Sequence, residues 1–288
     1  MNDRPPLFRV MTLGFGYAFL YAPIVSVVIY SFNASRLVTI WGGFSTRWYV
    51  ALVNNQAILG AAWLSLKVAF LSASLALVVG TLAGFVLARF GKFGGRTLFS
   101  GMVTAPLVVP EVIGAISTLL LFVDLKDLIG WPSERGLWAL AVAHAAYTLS
   151  YVAVVVQSRL ADMDRSVEEA AMDLGARPWK VFCVITLPII SPALLSGWLL
   201  AFSLSLDDVV TSAFVAGPGA TTLPLLVFSS VKLGVDPQVN AIGTIIVAVV
   251  GTATVVSGIW VTRRERARLR SVNLLRDEAL LETAAIAA

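Results

Sequence analysis

Three acidic side chains, Glu111, Asp207 and Asp208, lie within or beside long apolar stretches of this sequence. A carboxylate at membrane depth is energetically costly, and such groups usually line a pathway for cations or pair with another polar group. Because adjacent helical residues point about 100° apart, Asp207 and Asp208 are not expected to face one cavity. We therefore expect one of them to line the outer gate of a pathway and attract cations, and its neighbour to hydrogen-bond within the protein. The alternative is that the pair only caps a helix end or contacts the following loop.

Two tyrosines, Tyr147 and Tyr151, stand four residues apart and so share one face of a helix. Aromatic rings attract an ammonium group by about 0.5–2 kcal/mol per contact, which makes both tyrosines candidates for the same pathway. Packing against another helix is the preferred interpretation of this face. The pathway role is kept as a hypothesis.

Other kinds of site are excluded by the residue inventory. The chain has one histidine, His144, and one cysteine, Cys183, so it holds neither an H-E-x-x-H zinc motif nor an internal disulfide. His144 is expected to pack or to hydrogen-bond between helices. No stretch matches G-x-x-x-x-G-K-[ST], so no phosphate-binding loop is expected. We predict no cofactor, metal or catalytic residue in this chain.

The elements that position these side chains are predicted to be membrane helices. The sequence is 58% hydrophobic and 13% charged, whereas soluble domains average about 45–50% and 25%. Uncharged stretches long enough to cross a bilayer predict an all-α, polytopic membrane protein of about six transmembrane helices in a single domain over 1–288. The predicted spans are 10–30, 66–88, 98–122, 137–158, 189–212 and 238–262.

Two consequences follow for the polar residues and the remaining apolar stretch. Glu111 falls about 13 residues into the third span, roughly 20 Å along its axis, and so past the midplane of that helix. Pro106 and Pro110 precede it and predict a bend. The stretch 209–231 contains Gly217-Pro218-Gly219 and is predicted to form a surface or re-entrant loop.

The basic residues predict the orientation in the membrane. Fifteen of the 21 lysines and arginines fall on the face that carries both termini, and basic segments tend to stay in the cytoplasm. We therefore expect both termini to be cytoplasmic. The basic tail 263–288 is interpreted as a juxtamembrane segment, not as a nucleic-acid-binding one.

The loop 159–188, on the cytoplasmic side, has the polar pattern of two short helices. Ser166 and Glu169 have the spacing of a capping box, which predicts a helix start. Gly175 predicts the end of that helix, Pro178 the first turn of a second one, and Pro188 the start of the fifth span. A pair of angled helices with apolar sides could dock into a cleft on a soluble partner.

This loop resembles the cytoplasmic signature of the inner-membrane permeases of binding-protein-dependent ABC importers. The pattern E-A-A, three residues, G, nine residues, I-x-L-P is matched by Glu169, Ala170, Ala171, Gly175, Ile185, Leu187 and Pro188. The resemblance runs from about residue 17 to 262. Within the family it is nearest to the polyamine branch, on the stretches Tyr21-Ala22-Pro23, Tyr30-Ser31-Phe32-Asn33, 203–208 and 217–224.

The resemblance implies a type I ABC importer permease fold, with the seven signature residues acting as the ATPase-coupling element. It also implies a second permease subunit, related but distinct, two ATPase subunits that bind ATP and Mg²⁺, and a periplasmic substrate-binding protein. The implied substrate is putrescine or spermidine. A permease for another small solute remains an alternative, as does a stand-alone secondary transporter or channel.

Overall fold

The structure is a computed structural model that describes residues 7–37, 40–233, 236–252, 255–256 and 259. Two compact units divide the chain, Met1–Asn54 with Val235–Ala288, and Asn55–Gly234. The helices are α1 (Leu7–Ser31), α2 (Arg47–Val53), α3 (Gln56–Arg89), α4 (Arg96–Val108), α5 (Glu111–Ile129), α6 (Leu137–Ala161), α7 (Ser166–Asp173), α8 (Pro178–Val181), a π turn (Phe182–Thr186), α9 (Leu187–Leu206), α10 (Val210–Val215), α11 (Leu223–Leu233) and α12 (Pro237–Thr252).

Four of these stretches are long and apolar enough to cross a membrane, namely Phe8–Ser31, Gln56–Arg89, Leu137–Ala161 and Pro178–Leu206. The pair α4 and α5 passes the same test jointly, and α12 is a shorter apolar helix. Part of the predicted sixth span 238–262, and the whole basic tail 263–288, lie outside the described residues.

In the first unit, Asn33 organises the segment that follows α1. Its side-chain Oδ1 accepts hydrogen bonds from the backbone N–H groups of Ser35 (3.0 Å) and Gly42 (2.8 Å), and its Nδ2 donates to the carbonyl of Ile40 (2.8 Å). The indole N–H of Trp48 donates to the Asn33 carbonyl at 2.7 Å. The side-chain amide of Asn33 thus forms hydrogen bonds with backbone groups that lie outside any helix or strand and would otherwise lack a partner.

In the second unit, α3, α6 and α9 pack together around small residues. A Cβ on Gly80 would lie 2.7 Å from the carbonyl oxygen of Leu149, and one on Gly84 would lie 2.6 Å from that of Ala153. Glycine spaced by four residues lets two membrane helices approach this closely. The core completed by α9 consists of Ala73, Ala76, Ala145, Val152, Val156, Leu160, Ile190 and Ala201.

The third predicted span is wrong as one continuous helix. Between α4 and α5 the chain turns by 116°, with Val109 in an extended conformation and Pro110 beside it. Proline lacks the amide hydrogen and pushes the preceding residue out of the helical region, which explains the break. Pro106 stays inside α4. Glu111 therefore begins a new helix and does not lie deep in an old one.

The fifth predicted span, 189–212, differs from the structure at both ends. An unbroken helical path runs over Pro178–Leu206, so the second short cytoplasmic helix is the start of this span and not a separate element. Pro188 does not interrupt it, because the residue four positions earlier, Val184, lies in the wider π turn, which relieves the clash between a proline ring and that carbonyl. The helix ends before Asp207.

The predicted loop 209–231 is also corrected, because it contains α10 and α11. Buried Thr211, Ser212 and Val215 anchor α10. The turn after it is fixed by the backbone N–H of Gly217, which donates to the carbonyl of Arg135 at 2.7 Å. Helix α11 begins where the N–H of Leu223 donates to Ser65 Oγ at 2.7 Å.

Candidate functional site

The loop 159–188 contains one separate helix, α7, with a defined start and end. The N–H of Ser166 donates to Asp164 Oδ1 at 2.9 Å, and this bond lowers the pKa of Asp164 because it stabilises the charged carboxylate. No side chain of α7 caps its N-terminus, so the predicted capping box of Ser166 and Glu169 is wrong. Asp164, two residues upstream, already satisfies the first amide.

The end of α7 matches its prediction. Gly175 has φ +86°, its N–H donates to the carbonyl of Met172 at 2.9 Å, and the N–H of Ala176 donates to that of Ala171 at 3.0 Å. This pair of bonds is the Schellman arrangement, which requires a left-handed residue and strongly favours glycine. Pro178 occupies the first turn of α8, as its sequence position predicts.

Most of the signature residues lie on the outer surface of this segment. Glu169, Ala170, Gly175 and Pro188 are exposed, and Ala171, Ile185 and Leu187 are half-buried. Beside them, Leu174 is 90% exposed and Trp179 is 72% exposed. Large apolar side chains held outward on a rigid helix and turn form a surface suited to a protein partner.

The sequence interpretation missed Glu168, which is the one buried residue of the fully described helix α7. Its Oε2 lies 2.8 Å from Nε of Arg89 at the end of α3, and its Oε1 accepts a hydrogen bond from Thr186 Oγ1 at 2.6 Å. Arg89 also donates to the carbonyl of Leu160 in α6 at 2.8 Å. One carboxylate therefore connects α7 with α3, and with the π turn that leads into α9.

A second polar cluster surrounds a cavity of about 300 Å³ between α4, α5, α6 and α10. Glu111, Tyr147 and Thr211 contribute polar groups to an otherwise mostly apolar lining. The carboxyl groups of Glu111 and Asp208 lie close enough for their charges to interact. The break between α4 and α5 is what brings Glu111 to this position, at the first turn of α5.

The two adjacent aspartates face different surroundings, as predicted. Asp207 is exposed, whereas Asp208 is 5% exposed. Asp208 Oδ1 accepts a hydrogen bond from the N–H of Ser212 at 3.2 Å, while its Oδ2 is buried and has no hydrogen-bond partner among the residues that the structure describes. That oxygen lies 4.0 Å from Nε2 of His144.

His144 holds the end of α9 and the start of α10 against α6. Its Nδ1 lies 2.8 Å from Ser205 Oγ, and its Nε2 lies 3.2 Å from Ser212 Oγ. These contacts confirm the expected interhelical role. The hydroxyl groups of Tyr147 and Tyr151 are 3.3 Å apart, and of the two rings only that of Tyr147 lines the cavity.

Comparison with known proteins assigns the chain to a family. The profile described as "Binding-protein-dependent transport system inner membrane component" matches residues 76–270. The chain belongs to this permease family. Both the loop 159–188 and the residues that line the cavity fall within the matched range.

The permease has closely similar relatives over almost its full length. It is 53% identical to the putrescine transport system permease protein PotI of Escherichia coli (strain K12), over 96% of this chain and 99% of that protein. It is 44% identical to the spermidine/putrescine transport system permease protein PotC of the same strain, over 80% of this chain and 84% of that one.

A solved structure supports the fold of the permease. A bacterial ABC transporter involved in the import of the acidic polysaccharide alginate contains a chain with a TM-score of 0.68 at 15% identity, covering 88% of this chain and 94% of that one. The predicted fold class, an all-α multi-pass membrane protein with a type I importer permease fold, is confirmed. The predicted family membership is confirmed with it.

Proposed function

We propose that this permease is the transmembrane subunit of an ATP-driven importer of polyamines, with putrescine or spermidine as substrate. The substrate class is supported by the buried Oδ2 of Asp208, which has no hydrogen-bond partner among the described residues and lies near the carboxyl group of Glu111. Two carboxyl groups in an apolar setting are stable only when something compensates their charge. The similarity to PotI supports the same substrate class.

A protonated amine fits this setting better than a metal ion or a neutral solute. An ammonium group can donate to both carboxylates, and the ring of Tyr147 at the cavity wall adds a cation–π contact of about 0.5–2 kcal/mol. The apolar part of the lining, which includes Met102, Ala105, Pro106 and Ala115, suits the methylene chain of a polyamine. Tyr151 would support Tyr147 through its hydroxyl contact.

The proposed complex has a second permease, related but distinct from this one, two ATPase subunits and a periplasmic binding protein. ATP and Mg²⁺ would bind to the ATPase subunits, and this chain would supply no catalytic residue. The termini and the loop 159–188 would lie in the cytoplasm. The exposed signature residues would contact the ATPase and so couple its closure to the membrane helices.

Uptake of labelled putrescine and spermidine in cells that lack this chain, with and without its re-expression, tests the substrate. We expect uptake of at least one amine to fall to background in the deletion strain and to return on re-expression. Uptake that persists unchanged in the deletion strain, or that survives depletion of ATP, would contradict an ATP-driven polyamine importer. It would favour another solute or a secondary transporter.

The Schellman turn at the end of α7 gives a prediction about assembly. In Gly175→Val, a branched side chain meets φ +86°, a conformation that costs about 1–2 kcal/mol for a residue with a Cβ. The turn should rearrange and misplace the exposed surface beside it. We expect roughly tenfold less ATPase to co-purify with this variant.

The matched control is Gly91→Val, in an exposed loop position where an added Cβ meets nothing within 4 Å. This control should retain its ATPase. Equal recovery of the ATPase with Gly175→Val and with the control would show that the turn does not set the contact.

A further inference from the structure

The buried carboxylate of Glu168 stands where the coupling helix meets the membrane helices. Helix α7 has eight residues, too few to be stable alone, and its large apolar side chains are only partly covered, with Val167 45% and Met172 42% exposed. Glu168 is the residue of this helix that reaches inward. Polar contacts of Glu168 therefore contribute much of the attachment of α7 to the membrane helices, in addition to apolar packing.

The contacts of Glu168 run in two directions. Toward α3, its Oε2 pairs with Arg89, and the nearby Arg165 donates from Nη2 to the carbonyl of Ala88 at 2.8 Å. These two bonds join the start of α7 to the last turn of α3. Toward α9, its Oε1 accepts the hydroxyl of Thr186, which is 1% exposed and forms the last residue of the π turn.

The π turn is the deformable part of this connection. A π turn has poorer hydrogen-bond geometry than the α-helix around it and often marks a functional hinge. Thr186 is held at its end, and Phe182 at its start packs edge-on against Phe85 of α3 at 4.8 Å between ring centroids. Movement of α7 would pull on the end of the turn at Thr186 while the start stays against α3.

We infer that Glu168 is a positioning residue that transmits nucleotide-driven movement of α7 to α9, and that transmission needs both of its contacts. The ion pair with Arg89 fixes the carboxylate, and the hydrogen bond from Thr186 passes the movement to the π turn. This inference rests on the proposed function, because it needs an ATPase that moves α7. It assigns a role distinct from that of the exposed signature residues. They contact the partner, whereas Glu168 carries the displacement inward.

The single cysteine of the chain supplies a probe at the site. Cys183 lies half-buried inside the π turn, between the two ends described above. The rate at which a maleimide alkylates Cys183, measured on this chain by mass spectrometry, reports the exposure of the turn. It requires no transported substrate, so it is independent of which solute is carried.

The experiment compares this rate in the intact purified complex without nucleotide and with ATP plus orthovanadate. Glu168→Gln can still accept the Thr186 hydroxyl but loses the charge that pairs with Arg89. Thr186→Val removes the hydroxyl and leaves the ion pair, with a similar side-chain volume. Asp173→Asn is the matched control, since it removes an exposed acidic charge from the same helix.

We expect nucleotide to change the alkylation rate at least threefold in the wild type and in Asp173→Asn. In Glu168→Gln and Thr186→Val the change should fall below 1.5-fold, while both variants keep their ATPase subunits and continue to hydrolyse ATP. Uptake per ATP hydrolysed should fall in the same two variants. A variant that keeps its ATPase subunits but loses the alkylation response has a defect in passing movement to α9. A variant that cannot bind the ATPase would lose those subunits from the purified complex.

Several results would overturn the inference. They are a wild-type rate that does not respond to nucleotide, a full response in Thr186→Val, and an equal loss of response in Asp173→Asn. If Glu168→Gln does not assemble with the ATPase, the result for Thr186→Val tests the inference. If neither variant assembles, the contacts of Glu168 are needed for folding, and the inference that they transmit movement is wrong. Absence of any ATPase from the wild-type complex would instead overturn the proposed function.

Discussion

Replacement of Asp208 by asparagine is expected to lower the initial rate of putrescine uptake about tenfold or more at low substrate concentration. The amide oxygen of asparagine can still accept the N–H of Ser212, so the local backbone should keep its shape. The lost charge is the one that would face an ammonium group from a buried position. Removing one member of a buried charge pair costs about 2–5 kcal/mol, which corresponds to more than a tenfold change in affinity.

The measurement is the concentration dependence of uptake at matched levels of protein in the membrane. A loss of affinity should appear mainly as a higher KM, whereas a folding defect would lower the amount of protein. Asp207→Asn is the control, because that neighbour is exposed, whereas Asp208 is buried. It should retain uptake within about twofold. Normal uptake by Asp208→Asn at normal expression would remove the substrate role from this cluster.

The second large effect is expected at the contact between α3 and α6. In Gly84→Val, the new Cβ would meet the carbonyl oxygen of Ala153 at 2.6 Å, and a backbone oxygen cannot move aside as a flexible side chain can. The two helices would have to separate and lose the packing around Gly80 as well. Overpacking typically costs about 1–3 kcal/mol, and a backbone clash lies at the upper end of that range.

We expect at least a tenfold lower yield of monodisperse, detergent-extracted protein for Gly84→Val. Gly60→Val is the matched control in the same helix, since an added Cβ there meets nothing within 4 Å. It introduces the same β-branched residue into α3 and should be recovered at close to the wild-type yield. Similar yields for both variants would show that the close approach does not limit stability.

The long apolar helices could be predicted because each rests on a local property of the chain. About 20 consecutive uncharged residues are enough to identify α1, α3 and α6. The break after α4 depends on more than its residues, since Pro106 and Pro110 differ little in sequence context while only Pro110 separates two helices. The predicted depth of Glu111 was wrong for that reason, because it assumed one straight helix through the third span.

The contacts at both sites depend on tertiary structure. The pair of Arg89 and Glu168 joins residues far apart in the chain, and nothing local distinguishes Glu168 from the exposed Glu169 beside it. The spacing of Gly80 and Gly84 was a readable signal of close helix packing that the sequence interpretation did not use. Asp207 and Asp208 were expected to face different surroundings on the assumption that both are helical. They do so, but beyond the end of α9, and the sequence did not indicate which of them is buried.

The π turn also bears on the spacing of the signature between Gly175 and Ile185. A turn of this kind amounts to one residue inserted into a regular helix, and one residue corresponds to about 100° of rotation. Deleting any single residue from Phe182–Thr186 would restore a uniform winding. It would leave the cytoplasmic end at nearly the same angle around the axis of α9, because the wide turn already absorbs the rotation of the extra residue. The π turn therefore holds an additional residue in this segment without changing which side of the helix the cytosol touches and which side the bilayer encloses.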